Sequence, residues 1–162
     1  MASSVRNYIR IFLVVAATVL LDQYTKHLVI EQLSQYESIE VIPGFFNIIL
    51  TFNKGAAFGF LAGVPDQLRY ALLALTTVVA LGVVLYFIMK DYKEDPWALM
   101  ALAMILGGAF GNIIDRVCFG QVTDFLDVYY GSYHWPAFNV ADSAICIGVG
   151  LLLLRSGGKK AS

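Results

Sequence analysis

Residues 97–114 read WALMALAMILGGAFGNII. No charge interrupts the run. A helix rises about 1.5 Å per residue, so this stretch can cross most of a hydrocarbon layer about 30 Å thick. Asp115 and Arg116 follow at once and mark one membrane edge. Outward from this segment lie three more apolar runs of similar length. Residues 11–30 read IFLVVAATVLLDQYTKHLVI, 70–89 read YALLALTTVVALGVVLYFIM, and 138–154 read FNVADSAICIGVGLLLL. Composition agrees. Of 162 residues 59% are hydrophobic and 14% charged, against a usual share of roughly 45–50% and about 25%. Mean hydropathy is +0.70. A soluble domain of this size needs more polar surface than that, and a disordered chain needs far less apolar content. A net charge of −1 offers no electrostatic footing for nucleic acid. The expected fold is all-α membrane: one integral membrane domain, 1–162, of four transmembrane helices. A small extracytoplasmic β-sheet, a cradle from the first outer loop, completes it.

Arg6 and Arg10 precede the first span, as in a signal peptide. The run is too long for one, it carries Asp22 and Lys26, and no small-residue cleavage site follows. It reads as a retained helix. Four spans put both termini on one side. That side holds Arg6, Arg10, Lys90, Lys93, Arg155, Lys159 and Lys160, seven of the 11 basic residues. The opposite loops hold Lys54, Arg69 and Arg116. The bias toward basic cytoplasmic loops then places the termini and the 90–96 turn inside, with loops 31–69 and 115–137 outside. Trp97, Trp135, Tyr133 and Tyr92 fall near span ends, where amphipathic rings favour the interface. In the first outer loop, IEVIPGFFNIILTF (39–52) is rich in β-branched and aromatic residues around a Pro-Gly turn. Residues 39–61 are expected to form a twisted hairpin or sheet on the outer leaflet. QVTDFLDVYY (121–130) reads as another extended piece, and 155–162 as a solvated basic tail.

Cys118 and Cys146 fit no C-x-x-C pattern and read as free buried thiols. His27 and His134 lie in unrelated segments, so a histidine metal site is not expected. The acids carry more information, because an ionised carboxylate in a span costs at least about 2.5–3.5 kcal/mol unless it finds a partner or water. In PAFNVADSAI, Asn139 reads as an N-cap and Asp142 as an acid on the first turn. Asp142 either caps backbone N–H groups or contributes to a site. Asp124 precedes that helix by enough chain to fold back against it. Asp124 and Asp127 differ by three in an extended segment and so face opposite ways, one toward a site and one toward water. Two carboxylates at one membrane edge can share a single proton. One is then a general base and the other an acid, which activates water against an amide without a metal. Gly108, Asn112 and Arg116 share a helix face. Arg116 and Asn112 either orient carboxylates or a substrate carbonyl, or respectively snorkel and join helices. Gly107 and Gly108 read as helix-packing residues. Asp22 and Lys26 form an i,i+4 pair, unless Asp22 braces the outer loops. Asn53, in the glycine-rich NKGAAFGF, either orders turns or reaches substrate.

At these residues the chain resembles the lipoprotein signal peptidases, also called prolipoprotein or type II signal peptidases. The likeness spans roughly 11–154. It rests on LDQYTK (21–26), FNKGAAFG (52–59), GGAFGNIIDR (107–116), VTDF (122–125) and FNVADS (138–143) in order. The resemblance implies an intramembrane aspartyl endopeptidase of the bacterial plasma membrane. Such an enzyme removes the signal peptide of diacylglyceryl-modified prolipoproteins immediately before the lipid-modified cysteine. It implies Asp124 and Asp142 as the catalytic pair, and Asp22, Asn53, Asn112, Arg116 and Asn139 as substrate-binding or supporting residues. It also implies no metal or cofactor, a monomer among membrane lipids, and inhibition by globomycin-type cyclic peptides. The outer sheet and GAAFG loop are candidate walls or a lid. A proton-coupled transporter is the main competing class, but no inverted repeat is visible and the acids cluster at one edge. A purely structural membrane protein leaves that clustering unexplained.

Overall fold

The structure, a computed structural model, describes residues 2–35, 37–55, 64–90 and 95–158. It contains α1 (Ala2–Gln32), β1 (Ser38–Ile42), β2 (Phe46–Asn53), α2 (Asp66–Lys90), α3 (Pro96–Phe119), β3 (Val122–Tyr130), β4 (Tyr133–His134) and α4 (Val140–Gly158). The first three expected spans each lie within one helix, and the fourth does so from Val140 on, its first two residues, Phe138 and Asn139, preceding α4. The helices run past the apolar runs because hydropathy stops at the first charges, whereas backbone hydrogen bonding continues to a cap. Among the described residues, α3 alone is long and apolar enough to cross a membrane by length and composition.

Helix α3 starts where Asp95 accepts hydrogen bonds from Trp97 N and Ala98 N, with Pro96 in the first turn, where a missing N–H costs nothing. It ends at Gly120, whose φ of 72° lets its N–H close on Arg116 O. It lies centrally, packed against α1, α4 and α2. Glycines permit the closeness. A Cβ on Gly107 would lie 2.6 Å from Thr18 Cβ of α1, and one on Gly108 would run into the Ala141 carbonyl of α4. These two are helix-packing residues, as expected. At the other end Val84 of α2 joins Leu99, Leu102 and Leu106 of α3 in an apolar cluster. The outward faces are apolar too: Phe12 and Leu20 of α1, Val78 of α2 and Leu154 of α4 are exposed.

The sheet is antiparallel in the order β1-β2-β3-β4. It is therefore not a product of the first outer loop alone, since β3 and β4 come from the second. Residues 46–53, FNIILTFN, are rich in β-branched and aromatic side chains and pair along both edges, with β1 and with β3. β3 supplies the second edge, with Thr51 opposite Asp124 and Asn47 opposite Asp127. β4 is too short to announce itself. Phe125 N and Leu126 N both donate to Phe138 O, at 3.0 and 2.8 Å, and so tie the sheet to the residues before α4.

One further expectation is corrected. The thiols are free but exposed, on outward helix faces that an apolar surrounding would satisfy. The basic tail is helical through Gly158. Residues 56–61 of the expected hairpin, most of the GAAFG loop, Tyr92, Lys93 and residues 159–162 lie outside the described residues.

Candidate active site

Helix α4 begins with a reciprocal cap. Asn139 Oδ1 accepts from Asp142 N at 2.9 Å, and Asp142 Oδ2 accepts from Asn139 N at 3.3 Å. That is a capping box, and it leaves Asp142 Oδ1 for another donor. Asn112 Nδ2 supplies it at 2.8 Å from α3. Asp142 therefore caps its helix and also joins a hydrogen-bond network that reaches α3. The Asn112 amide has a single orientation. Its Oδ1 accepts from Asn139 Nδ2 at 3.2 Å and from Lys26 Nζ at 3.1 Å, so a flipped amide would set donor against donor.

Asn139 Nδ2 also donates to Asp124 Oδ1 at 2.7 Å, while Asn53 Nδ2 donates to Asp124 Oδ2 at 3.1 Å. Asn53 Oδ1 meanwhile accepts from Gly55 N at 2.8 Å, so Asn53 both orders its turn and holds Asp124. Asp124 and Asp142 are thus connected through two asparagines and face one cleft. Asp124 is pushed up to about 7, first by burial and then by the Asp142 charge. The cleft holds about 1440 Å³, larger than the roughly 300–1,000 Å³ of small-ligand pockets. Asn53, Arg116, Asp124 and Asp142 line it. Arg116 donates from Nη1 to Asn112 O at 3.3 Å. Asn112 and Asn139 stand behind the lining.

Asp22 belongs elsewhere. It does not brace the outer loops: its Oδ1 accepts from Ala141 N at 2.8 Å and holds the first turn of α4. Its Oδ2 pairs with Lys26 Nζ at 2.8 Å, and the same ammonium reaches Asp115 Oδ2 at 3.0 Å. Asp115 Oδ2 also accepts from Thr123 N, and Gln23 Nε2 donates to Asp115 Oδ1. Asp22, Lys26 and Asp115 are closed off, with side chains 0–3% exposed.

A family profile described as Signal peptidase (SPase) II matches residues 14–157. The chain belongs to the signal peptidase II family. It is a membrane peptidase. Its relatives include the lipoprotein signal peptidases of Syntrophus aciditrophicus, 50% identical over 145 residues (89% of this chain, 90% of the relative), and Geobacter sulfurreducens, 50% identical over 151 residues (91% and 93%). A bacterial membrane enzyme solved by the in meso method superposes with a TM-score of 0.82 at 34% identity, covering 93% of this chain and 89% of that one. A second such structure gives 0.79 at 36% identity, covering 90% of each.

Within this signal peptidase II fold, sequence reasoning missed Lys26 as the shared partner of two acids, and Gln23 and Asp115 as members of its cluster. A lysine and three acids near apolar spans was the available signal, because buried charge demands pairing. It also placed one of Asp124 and Asp127 in water. Both are buried: β3 is buried at four consecutive residues, Val122–Phe125, so both of its faces are covered and facing opposite ways does not mean facing water.

Proposed function

We propose that this chain is an intramembrane aspartyl endopeptidase that removes the signal peptide of diacylglyceryl-modified prolipoproteins, cutting immediately before the lipid-modified cysteine. Asp124 and Asp142 are its catalytic pair. The carrying observation is their placement in one cleft, with Asp124 held near 7 by burial and by its neighbour.

Asp142 sits at the positive end of α4, which favours its carboxylate over that of Asp124. Asp124 holds the shared proton. Asp142 removes a proton from water as the water oxygen bonds to the scissile carbon, and Asp124 gives its proton to the carbonyl oxygen. The tetrahedral diol then collapses. The C–N bond breaks, Asp142 returns its proton to the leaving nitrogen, and a diol hydroxyl restores the proton of Asp124. Asn53, Asn112 and Asn139 hold both carboxyls by hydrogen bonds, Arg116 supplies positive charge at the cleft wall, and Asp22 secures the turn that presents Asp142.

The four helices span the plasma membrane of a bacterium as one domain, with both termini cytoplasmic and the cleft at the outer face. Exposed apolar side chains along α1, α2 and α4 and the basic residues at the inner ends support this. The protein works as a monomer in lipid, and globomycin-type peptides compete for the cleft. Purified protein in lipid, given a diacylglyceryl prolipoprotein, should release the signal peptide at the cysteine by mass spectrometry, with or without EDTA. Cleavage elsewhere, or inhibition by the chelator, contradicts the reading.

A further inference from the structure

The cleft continues past the two aspartates to a second polar group that the mechanism leaves unused. Asn47, Asp127 and His134 line that end, with Gln35 and Ser38 beside them. Asp127 is 4% exposed. Its Oδ2 accepts from Asn47 Nδ2 at 3.0 Å, and its oxygens lie 2.9 and 3.1 Å from His134 Nδ1. The imidazole stacks on Tyr129, with centroids 5.0 Å apart and planes 9° apart. Tyr129 is itself pinned, its hydroxyl donating to Glu40 Oε1 at 2.8 Å and accepting from Gly44 N at 3.0 Å. Three strands thus hold one ring in one orientation.

The Asp127 carboxylate requires the proton on Nδ1. Nε2, on the opposite edge of a ring whose side chain is 53% exposed, is left for an external partner. A buried carboxylate, an amide and a stacked tyrosine spent on orienting one imidazole suit binding better than solvation. The partner follows from polarity. Substrate bound at Asp124 and Asp142 extends both ways. Its signal helix and acyl chains are apolar and leave the hydrogen-bonding groups of Gln35, Ser38, Asn47 and Asp127 unmet. The chain downstream of the cleaved bond is polar and extended.

We propose that His134, positioned by Asp127, is a subsite for the main chain of the mature polypeptide just downstream of the cleaved bond, its Nε2 accepting a backbone N–H. This rests on the peptidase reading above. The test is a pair of diacylglyceryl lipopeptides, one ending as an amide at the lipidated cysteine and one carrying four further residues. In the wild type kcat/KM should be higher for the long peptide by about 3–10-fold, the worth of one or two hydrogen bonds, mainly through KM. His134→Phe should bring that ratio close to one. His134→Gln, whose amide reaches the place of Nε2, should recover part of it. Equal losses on both peptides, an unchanged ratio in His134→Phe, or a wild-type ratio of one would each overturn the subsite. Processing of the short peptide by Asp124→Asn would overturn the peptidase reading beneath it.

Discussion

Two acid clusters lie side by side where α1, α3 and α4 meet the sheet, and they are built in opposite ways. Asp22 and Asp115 surround Lys26, are closed to solvent, and spend their oxygens on the ammonium, on Gln23 and on the backbone N–H groups of Ala141 and Thr123. Asp124 and Asp142 receive only neutral amide donors among the described hydrogen bonds and open on a cleft. A cation in direct contact with both acids makes the first cluster a strut. In the second, the cation Arg116 in the cleft lining donates to the Asn112 carbonyl, and the acids share neutral donors, an arrangement that suits the proposed chemistry. The asparagine bridge couples the two: Lys26 fixes the Asn112 amide, and that amide points its N–H groups at Asp142.

Substitution should separate the clusters. Asp124→Asn and Asp142→Asn should each cost at least about 10²–10⁴-fold in processing rate while leaving the melting temperature near that of the wild type. Lys26→Met should do the reverse in character. It strands two buried carboxylates, so a loss of about 3–5 kcal/mol in unfolding free energy is expected. Full stability in Lys26→Met would erase the distinction. Gly111→Ala sits between these cases, since its Cβ would stand 2.5 Å from Asp22 Oδ2. Denaturant titration should register about 1–3 kcal/mol.

Acidity sharpens the contrast further. The folded protein holds a proton on Asp124 that an unfolded chain releases above its ordinary value of 3.8. That contribution to stability is complete below 3.8 and is lost as pH rises through about 7. Wild-type stability should carry this declining component, and Asp124→Asn should lack it. Processing should likewise fall on the alkaline side of about 7 as the pair loses its single proton. A rate flat through that region would contradict the assignment of the acid. The smallest effect belongs to the far end of the molecule. Arg155 Nε meets Asp95 Oδ2 at 2.8 Å with the arginine half exposed. Arg155→Ala should change stability by no more than about 1 kcal/mol.

The helices were legible because hydrocarbon demands length and apolarity, and 39–52 was legible as β because its side chains are branched and aromatic. The cap at Asn139 and Asp142 was local, so FNVADS displayed it. What stayed hidden is long-range. Asp22 meets Ala141, and Lys26 meets Asn112, across separations of 119 and 86 residues, and no window of sequence contains both partners. Asp127 misled for another reason: parity gives the face of a strand and not what covers it, and β3 is covered on both faces. His134 looked isolated because its partners, Asp127 and Tyr129, reach it only through the turn at Gly131.

The proposed sharing of one proton by Asp124 and Asp142 can be tested directly. Infrared titration of the protein in lipid should show a protonated carboxyl band at pH 6 that disappears near 7 and is missing from Asp124→Asn. Carboxyls fully ionised at pH 6 in the wild type, or an unchanged band in Asp124→Asn, would contradict a proton held between Asp124 and Asp142.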